Sequence, residues 1–323
     1  MRALITGVTG FAGSHLAEYL LAHTDLEVWG TDISSNDRNI AQIRDDVHLI
    51  VGDMSDPAVA SQILSEAEPD YIFHLAAQAF VPLSWSDPWQ TMANNIRAQL
   101  NILQAMVDSG ARPRVLVVGS ADEYGMIRPG ELPVSEAAPL RPYSPYAVSK
   151  IAQDMLGYQF FASHGLPVVR VRPFNHIGAR QSPAFVTSDF AKQIAEIEQR
   201  QRKPLLEVGN LEAERDFTDV RDMVRAYHLA LEQGQEGEVY NLGAERAYSI
   251  QEVLDRLLDM SEARIEVVQD PTRLRPSDVP VVVSDCRKFR ERTSWSTTVS
   301  LRESLRAVLD YWRERVADEG RGR

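Results

Sequence analysis

Tyr146 and Lys150 lie four residues apart in the stretch Ser144-Pro145-Tyr146-Ala147-Val148-Ser149-Lys150. Ser144 can cap a helix and Pro145 suits its first position, so the pair falls on one face of a helix expected over residues 146 to 163. An ammonium beside a phenol favours the phenolate, which moves a group with an ordinary pKa of about 10 toward proton exchange near neutral pH. The same spacing also fits an amphipathic helix with a solvated lysine. The elements that surround the pair decide between the two.

At the amino end, an apolar run from Ala3 to Thr6 leads into Gly7-Val8-Thr9-Gly10-Phe11-Ala12-Gly13 and then a helical pattern through Leu21. Strand, glycine-rich turn and helix form the phosphate-binding unit of a Rossmann fold. Gly7, Gly10 and Gly13 permit a tight turn and close backbone approach, and the helix opening at Phe11 points its N-terminus at a pyrophosphate. The next strand, Leu26 to Thr31, ends at Asp32, roughly 20 residues on, as a dinucleotide site requires. An acid there accepts from ribose hydroxyls and repels a 2'-phosphate, which favours NAD(H) over NADP(H). Arg38 is near enough in sequence to soften that exclusion, so NADP(H) stays possible.

The alternation continues with strands at Val47 to Val51, Tyr71 to His74, Arg114 to Gly119 and Pro167 to Arg172, separated by helices near Pro57 to Ala67 and 92 to 108. Strands alternating with helices predict a doubly wound parallel sheet, with ligands at its carboxyl edge. The turns at that edge are Asp53-Met54, Leu75-Ala76-Ala77 and Ser120-Ala121-Asp122-Glu123-Tyr124-Gly125, and Pro173 and His176 follow the sixth strand. All but the Ser120 turn are assigned to the cofactor. Ser120 stands where the helix of Tyr146 and Lys150 could deliver its side chains. Beyond residue 173 the pattern loosens, apart from Val220 to Gly243, which reads as a return to the sheet. The expected fold is α/β: a Rossmann-type domain over residues 1–172 plus 217–244, with a smaller C-terminal α/β substrate-binding domain over 173–216 plus 245–323.

With 323 residues and 44% hydrophobic content the chain can bury a proper core. Its net charge of -12 argues against a nucleic-acid or anionic-membrane partner, so an anionic ligand has to be met by local arginines and helix ends. The single Cys286 and the scattered histidines offer no metal-ligand spacing. The opening MRALIT reads directly as a strand, with no leader pattern and no apolar run near the ~20 residues of a membrane span, so cytoplasmic residence is expected.

The segments TGVTGFAGSHL, HLAAQ, SADEYG, YAVSK and RPFNHIG together resemble the extended short-chain dehydrogenase/reductase family of nucleotide-sugar enzymes, over nearly the whole chain. NLEAERDFTDVRD and LRPSDVP are similar to the branch that holds GDP-mannose 4,6-dehydratase and GDP-4-keto-6-deoxy-mannose reductase, and NHIGARQSPAFVTSDFAKQI resembles the reductases most. The resemblance implies a GDP-sugar substrate, with Arg215 and Arg275 on the diphosphate, Asp278 on a ribose of the GDP, and Asn175 holding the sugar diphosphate from the cofactor side. Guanidinium forks suit phosphate oxygens. It also implies a homodimer built as a four-helix bundle from the helices near 92–108 and 146–163, whose apolar stripes could equally face the sheet.

In the leading reading the resemblance implies a reductase. Hydride passes to C4 of a 4-keto sugar, Tyr146 gives a proton to the forming alkoxide, Ser120 hydrogen-bonds the same oxygen, and Lys150 lowers the tyrosine pKa and holds the nicotinamide ribose. The product is GDP-rhamnose or a close GDP-deoxyhexose. The competing reading is the 4,6-dehydratase, which needs a further acid/base beside C5 and C6. The family pattern has a glutamate two residues before the Tyr of the Tyr-Gly pair, where this chain has Asp122, one methylene shorter. Another nucleotide-sugar epimerase, dehydratase or decarboxylase, and a non-catalytic dinucleotide sensor on the same fold, stand behind these two.

Overall fold

A computed structural model of the chain describes residues 1–273 and 279–321. The first half alternates: β1 (Arg2–Thr6), α1 (Phe11–His23), β2 (Glu27–Asp32), β3 (Val47–Val51), α2 (Pro57–Ala67), β4 (Tyr71–His74), α3 (Val81–Ser86), α4 (Pro88–Ser109), β5 (Arg114–Val118), α5 (Pro145–His164) and β6 (Val168–Pro173). The second half holds β7 (Asn175–Ile177), α6 (Val186–Glu198), β8 (Leu205–Val208), β9 (Glu214–Asp219), α7 (Val220–Gln233), β10 (Val239–Leu242), β11 (Ala247–Ser249), α8 (Ile250–Leu258), β12 (Glu266–Gln269), β13 (Val281–Val282), α9 (Arg287–Thr293) and α10 (Leu301–Arg321).

Helix boundaries follow local chemistry. The Ser144 hydroxyl accepts from the Ala147 amide, Pro145 takes the first helical position, and Gly165, left-handed at φ 63°, ends α5. α4 begins earlier than its apolar periodicity suggests, because the Asp87 side chain accepts from the Gln90 amide ahead of Pro88. It ends at Gly110, also left-handed.

Seven parallel strands form the main sheet in the order β10-β6-β5-β4-β1-β2-β3. Chain direction across the sheet reverses between β1 and β4, so the turns after these two strands flank a switch-point crevice. One face is covered by α1 and α7 through Leu16, Leu20, Met223 and Tyr227, and the other by α2, α4 and α5 through Ile63, Leu103, Met106 and Phe160. Strands buried on both faces read as continuous apolar runs, as β5 does in RVLVV.

The expected return to the sheet is observed, since α7 leads into β10 beside β6. It starts at Val220: Phe217 to Asp219 pair with β7, in a second sheet that also contains β11 and β13. Around that sheet and the β8–β12 pair, α6, α8 and α10 close a separate core that includes Phe190, Ile194, Leu254, Leu305 and Trp312. No helix among the described residues is long and apolar enough to cross a membrane.

One strand breaks the apolar rule. β6 carries Arg170 and Arg172, two residues apart and therefore on one face, and both are buried. Asp154 of α5 meets them, accepting from Arg170 Nη1 at 2.6 Å and from Arg172 Nε at 2.9 Å. Removing one member of a buried ion cluster leaves charge uncompensated. Asp154→Ala is expected to lower the unfolding free energy by roughly 3–5 kcal/mol, read as a shifted denaturant midpoint. An unchanged midpoint would show that the cluster has no net effect on stability.

Candidate active site

The turn after β1 is closed by Gly7 and Val8 N–H groups donating to the Thr31 carbonyl at 2.7 and 3.3 Å. Gly7 adopts φ 72°, and a side chain there would start 3.1 Å from the Ala76 backbone across the crevice. At Gly13 a Cβ would lie 2.1 Å from the Gly7 carbonyl. The backbone is thus packed too closely for side chains at either position. Gly10 caps α1 without a side-chain bond and the first turn bears no acid, so the helix N-terminus keeps free donors and no negative charge to repel a phosphate. Asp32, at the end of β2, accepts from Thr9 Oγ1 at 2.6 Å and from the Ile33 amide at 2.8 Å. Cradle and carboxylate together fit a dinucleotide.

The remaining predicted cofactor positions gather along the same edge. The Ala76 amide donates to Thr6 Oγ1 at 3.0 Å, and the same hydroxyl contacts His74 Nδ1 at 2.9 Å, which latches the β4 turn of Leu75, Ala76 and Ala77 onto β1. Asp53 is exposed, whereas Met54 is buried against α2 and α4 and its carbonyl accepts from Asn101. Pro173 ends β6, and His176 stacks on Phe11 with ring centroids 5.8 Å apart. Burial lowers the His176 pKa, so that ring is neutral near pH 7.

Ser120, Tyr146 and Lys150 converge at the carboxyl ends of β5 and β6. Ser120 caps a single turn, Ala121–Glu123, and its hydroxyl accepts from the Asp122 amide at 3.1 Å. Lys150 Nζ donates to the Val118 carbonyl at 2.9 Å and stands 5.9 Å from the Tyr146 ring centre. The expected lowering of the tyrosine pKa is not what this ligand-free geometry gives. Burial first, and then the Asp122 carboxylate, push the Tyr146 phenol up, against a downward pull from hydrogen bonding with Ser120. Desolvation is the largest cause, and it also acts on Lys150, which is pushed down to about 8.

Of the predicted substrate residues, Asn175 is exposed on β7. Arg215 lies on β9, where its guanidinium donates to the Glu214 and Val279 carbonyls at 2.9 and 2.7 Å. Arg275 and Asp278 lie outside the described residues. Sequence reasoning passed over Thr9, Asn95 and Glu123. Asn95 holds the Gln78 amide at 2.7 Å and donates to Ser149 Oγ at 2.9 Å, joining the β4 turn to α5. Glu123 was legible as the fourth member of a Ser-x-x-Glu capping box beginning at Ser120.

A family model described as GDP-mannose 4,6 dehydratase matches residues 4–308. The chain belongs to the GDP-mannose 4,6-dehydratase family. Within it, the chain is 35% identical to a GDP-6-deoxy-D-mannose reductase of Pseudomonas aeruginosa, over 98% of this chain and 99% of the relative. It is 28% identical to a GDP-mannose 4,6-dehydratase of Vibrio cholerae, over 94% and 91%. A solved structure of RMD from Pseudomonas aeruginosa, complexed with NADPH, superposes with a TM-score of 0.85 at 34% identity over 97% of this chain and 99% of that one. A UDP-glucose 4-epimerase from Thermotoga maritima, solved with UDP-glucose, gives 0.88 at 28% identity over 98% and 100%.

For this member of the family, the position of Lys150 generates a pH dependence. Its charged form is present below about pH 8 and lost above it, so kcat/KM for turnover at the site should fall about tenfold per pH unit on the alkaline side. Lys150→Arg keeps its charge past about pH 12 and should remove that limb while lowering activity. A limb of the same pH in Lys150→Arg would assign it to another group.

Proposed function

We propose that the chain reduces GDP-4-keto-6-deoxy-mannose at C4, giving GDP-rhamnose or a close GDP-deoxyhexose. It is an NAD(P)-dependent nucleotide-sugar enzyme, and the observation that carries the choice of reaction is the side chain at position 122. Asp122 is exposed beside the tyrosine on a turn whose backbone is held by Ser120, and its carboxylate is one methylene shorter than the glutamate that elimination across C5 and C6 employs. Tyr146 is protonated near neutral pH, so it has a proton to give to an alkoxide. A bound reduced dinucleotide supplies the hydride. Tyr146 gives its proton to the C4 oxygen, Ser120 hydrogen-bonds that oxygen, and Lys150 carries the positive charge that steadies the phenolate left behind.

Asp32 supports NADH as the preferred reductant, because a carboxylate at the ribose edge repels a 2'-phosphate. Arg38 lines the neighbouring cavity with Thr9, Ser34, Asn36 and Asn39, which leaves NADPH usable. The second reading, the 4,6-dehydratase, draws its support from the same carboxylate: Asp122 is near enough to act on Tyr146 electrostatically.

Two assays separate these. GDP-mannose supplied alone should yield no product, whereas the 4-keto-6-deoxy sugar with reductant should be turned over, with NADH ahead of NADPH by about tenfold in kcat/KM, equivalent to ~1.4 kcal/mol. Product from GDP-mannose alone would establish the dehydratase. No product in either assay would point to the sensor.

The paired helices α4 and α5 also turn apolar side chains to solvent. Trp89, Leu100, Val148, Met155 and Tyr158 are exposed, Trp89 by 76% and Tyr158 by 50%, a patch that marks an interaction surface. A homodimer formed by this face closes a four-helix bundle and buries it. Light scattering should give twice the chain mass of 36.2 kDa, and Met155→Arg should shift the mass to that of the monomer. A monomeric wild-type protein would refute the dimer.

A further inference from the structure

We propose that Glu123 is a positioning residue, one that holds Ser120 at its station opposite Tyr146 through buried contacts ending on the tyrosine's own helix. The inference rests on Ser120 and Tyr146 acting together, as the proposed function has them. A capping box ordinarily satisfies orphan donors at the start of a helix. Here the box spans only Ala121–Glu123, so there is no helix for it to support, and what it fixes is Ser120 itself. Glu123 Oε1 accepts from the Ser120 amide at 2.8 Å while the Ser120 hydroxyl accepts from Asp122 at 3.1 Å. Backbone and side chain of Ser120 are both tied.

The carboxylate is fully buried, and the chain is shaped around it. A Cβ on Gly119 would lie 2.2 Å from Glu123 Oε1, so a side chain there would have to displace the carboxylate. On the other side, Arg172 Nε stands 3.0 Å from Glu123 Oε2 and donates to Asp154 Oδ2 at 2.9 Å. Asp154 follows Tyr146 and Lys150 at intervals of four residues along one face of α5. The contacts therefore run from Ser120 through Glu123, Arg172 and Asp154 back to the helix that carries Tyr146. Glutamate has the length to touch Ser120 and Arg172 at once. Aspartate is one methylene too short.

Burial, and then Asp154, push Glu123 up to about 8, so glutamine, neutral and of the same shape, is the conservative replacement. The test compares Glu123→Gln with Glu123→Asp by steady-state kinetics on the 4-keto sugar and by hydrogen exchange of the segment 119–125. Glu123→Gln should keep kcat within about threefold and leave exchange slow, whereas Glu123→Asp should lose about tenfold or more in kcat, because small misplacements of a reacting group are that costly. KM should move little in either variant, and exchange of 119–125 should quicken in Glu123→Asp alone. Equal kcat and exchange in the two variants would overturn the proposal, as would a Glu123→Gln that falls as far as Glu123→Asp. The exchange comparison decides the question even if wild-type protein fails to turn over the sugar, an outcome that would instead sink the proposed function.

Discussion

The contact between Asp154 and the two arginines of β6 fixes the helix on which the candidate chemistry depends. A buried ion cluster is a poor source of stability compared with well-packed apolar groups, but it is directional, and direction matters here. Asp154 sets α5 against β6, and one turn earlier Lys150 sets the same helix against the end of β5 through the Val118 carbonyl. Ser120 lies two residues beyond Val118 on the same chain. All three candidate side chains are thus measured from neighbouring strands of one sheet. The apolar packing of Phe160 and Leu103 holds the helix down, and the polar contacts decide where along the sheet it stops.

Burial also sets the proton chemistry. Water is withheld from both Tyr146 and Lys150, which pushes the phenol up and the ammonium down. On the tyrosine, desolvation acts against hydrogen bonding with Ser120, and desolvation prevails. A phenol that keeps its proton serves donation to a carbonyl oxygen. The cradle at the other end of the crevice follows the opposite logic, because a helix start with an uncapped glycine and no acid in its first turn is open to an anion.

Much of this was legible in the sequence where a local rule has a short range. The Gly7 to Gly13 turn, Asp32 at a strand end, Ser144 and Pro145 at a helix start, and Ser120 at the sheet edge all follow from neighbours within a few residues, and the structure brings them to one crevice. Arg170 and Arg172 could not be read as buried, since nothing adjacent announces Asp154, whose distance in sequence hides that it faces the same strand. The start of α4 was missed because its apolar periodicity begins after the Asp87 cap. The tyrosine pKa was expected to fall because a spacing of four residues shows the ammonium and conceals the desolvation. The return to the sheet at Val220 was legible even though β9 and α7 run on without a break and belong to different layers.

The reaction itself turns on Asp122, which Ser120, Tyr146 and Lys150 do not determine, because every enzymatic reading of the site uses those three. Its carboxylate raises the Tyr146 pKa, and it stands on the rigid turn between Gly119 and Gly125, where a Cβ on Gly125 would strike the Arg141 carbonyl at 1.7 Å. The turn is thus packed closely against the segment at Arg141. An acid that is fixed in place and one methylene back can keep a tyrosine protonated for donation at C4, a task that needs only nearness. Elimination at C5 and C6 would need contact with the substrate, which this shorter side chain has to make from one methylene further back.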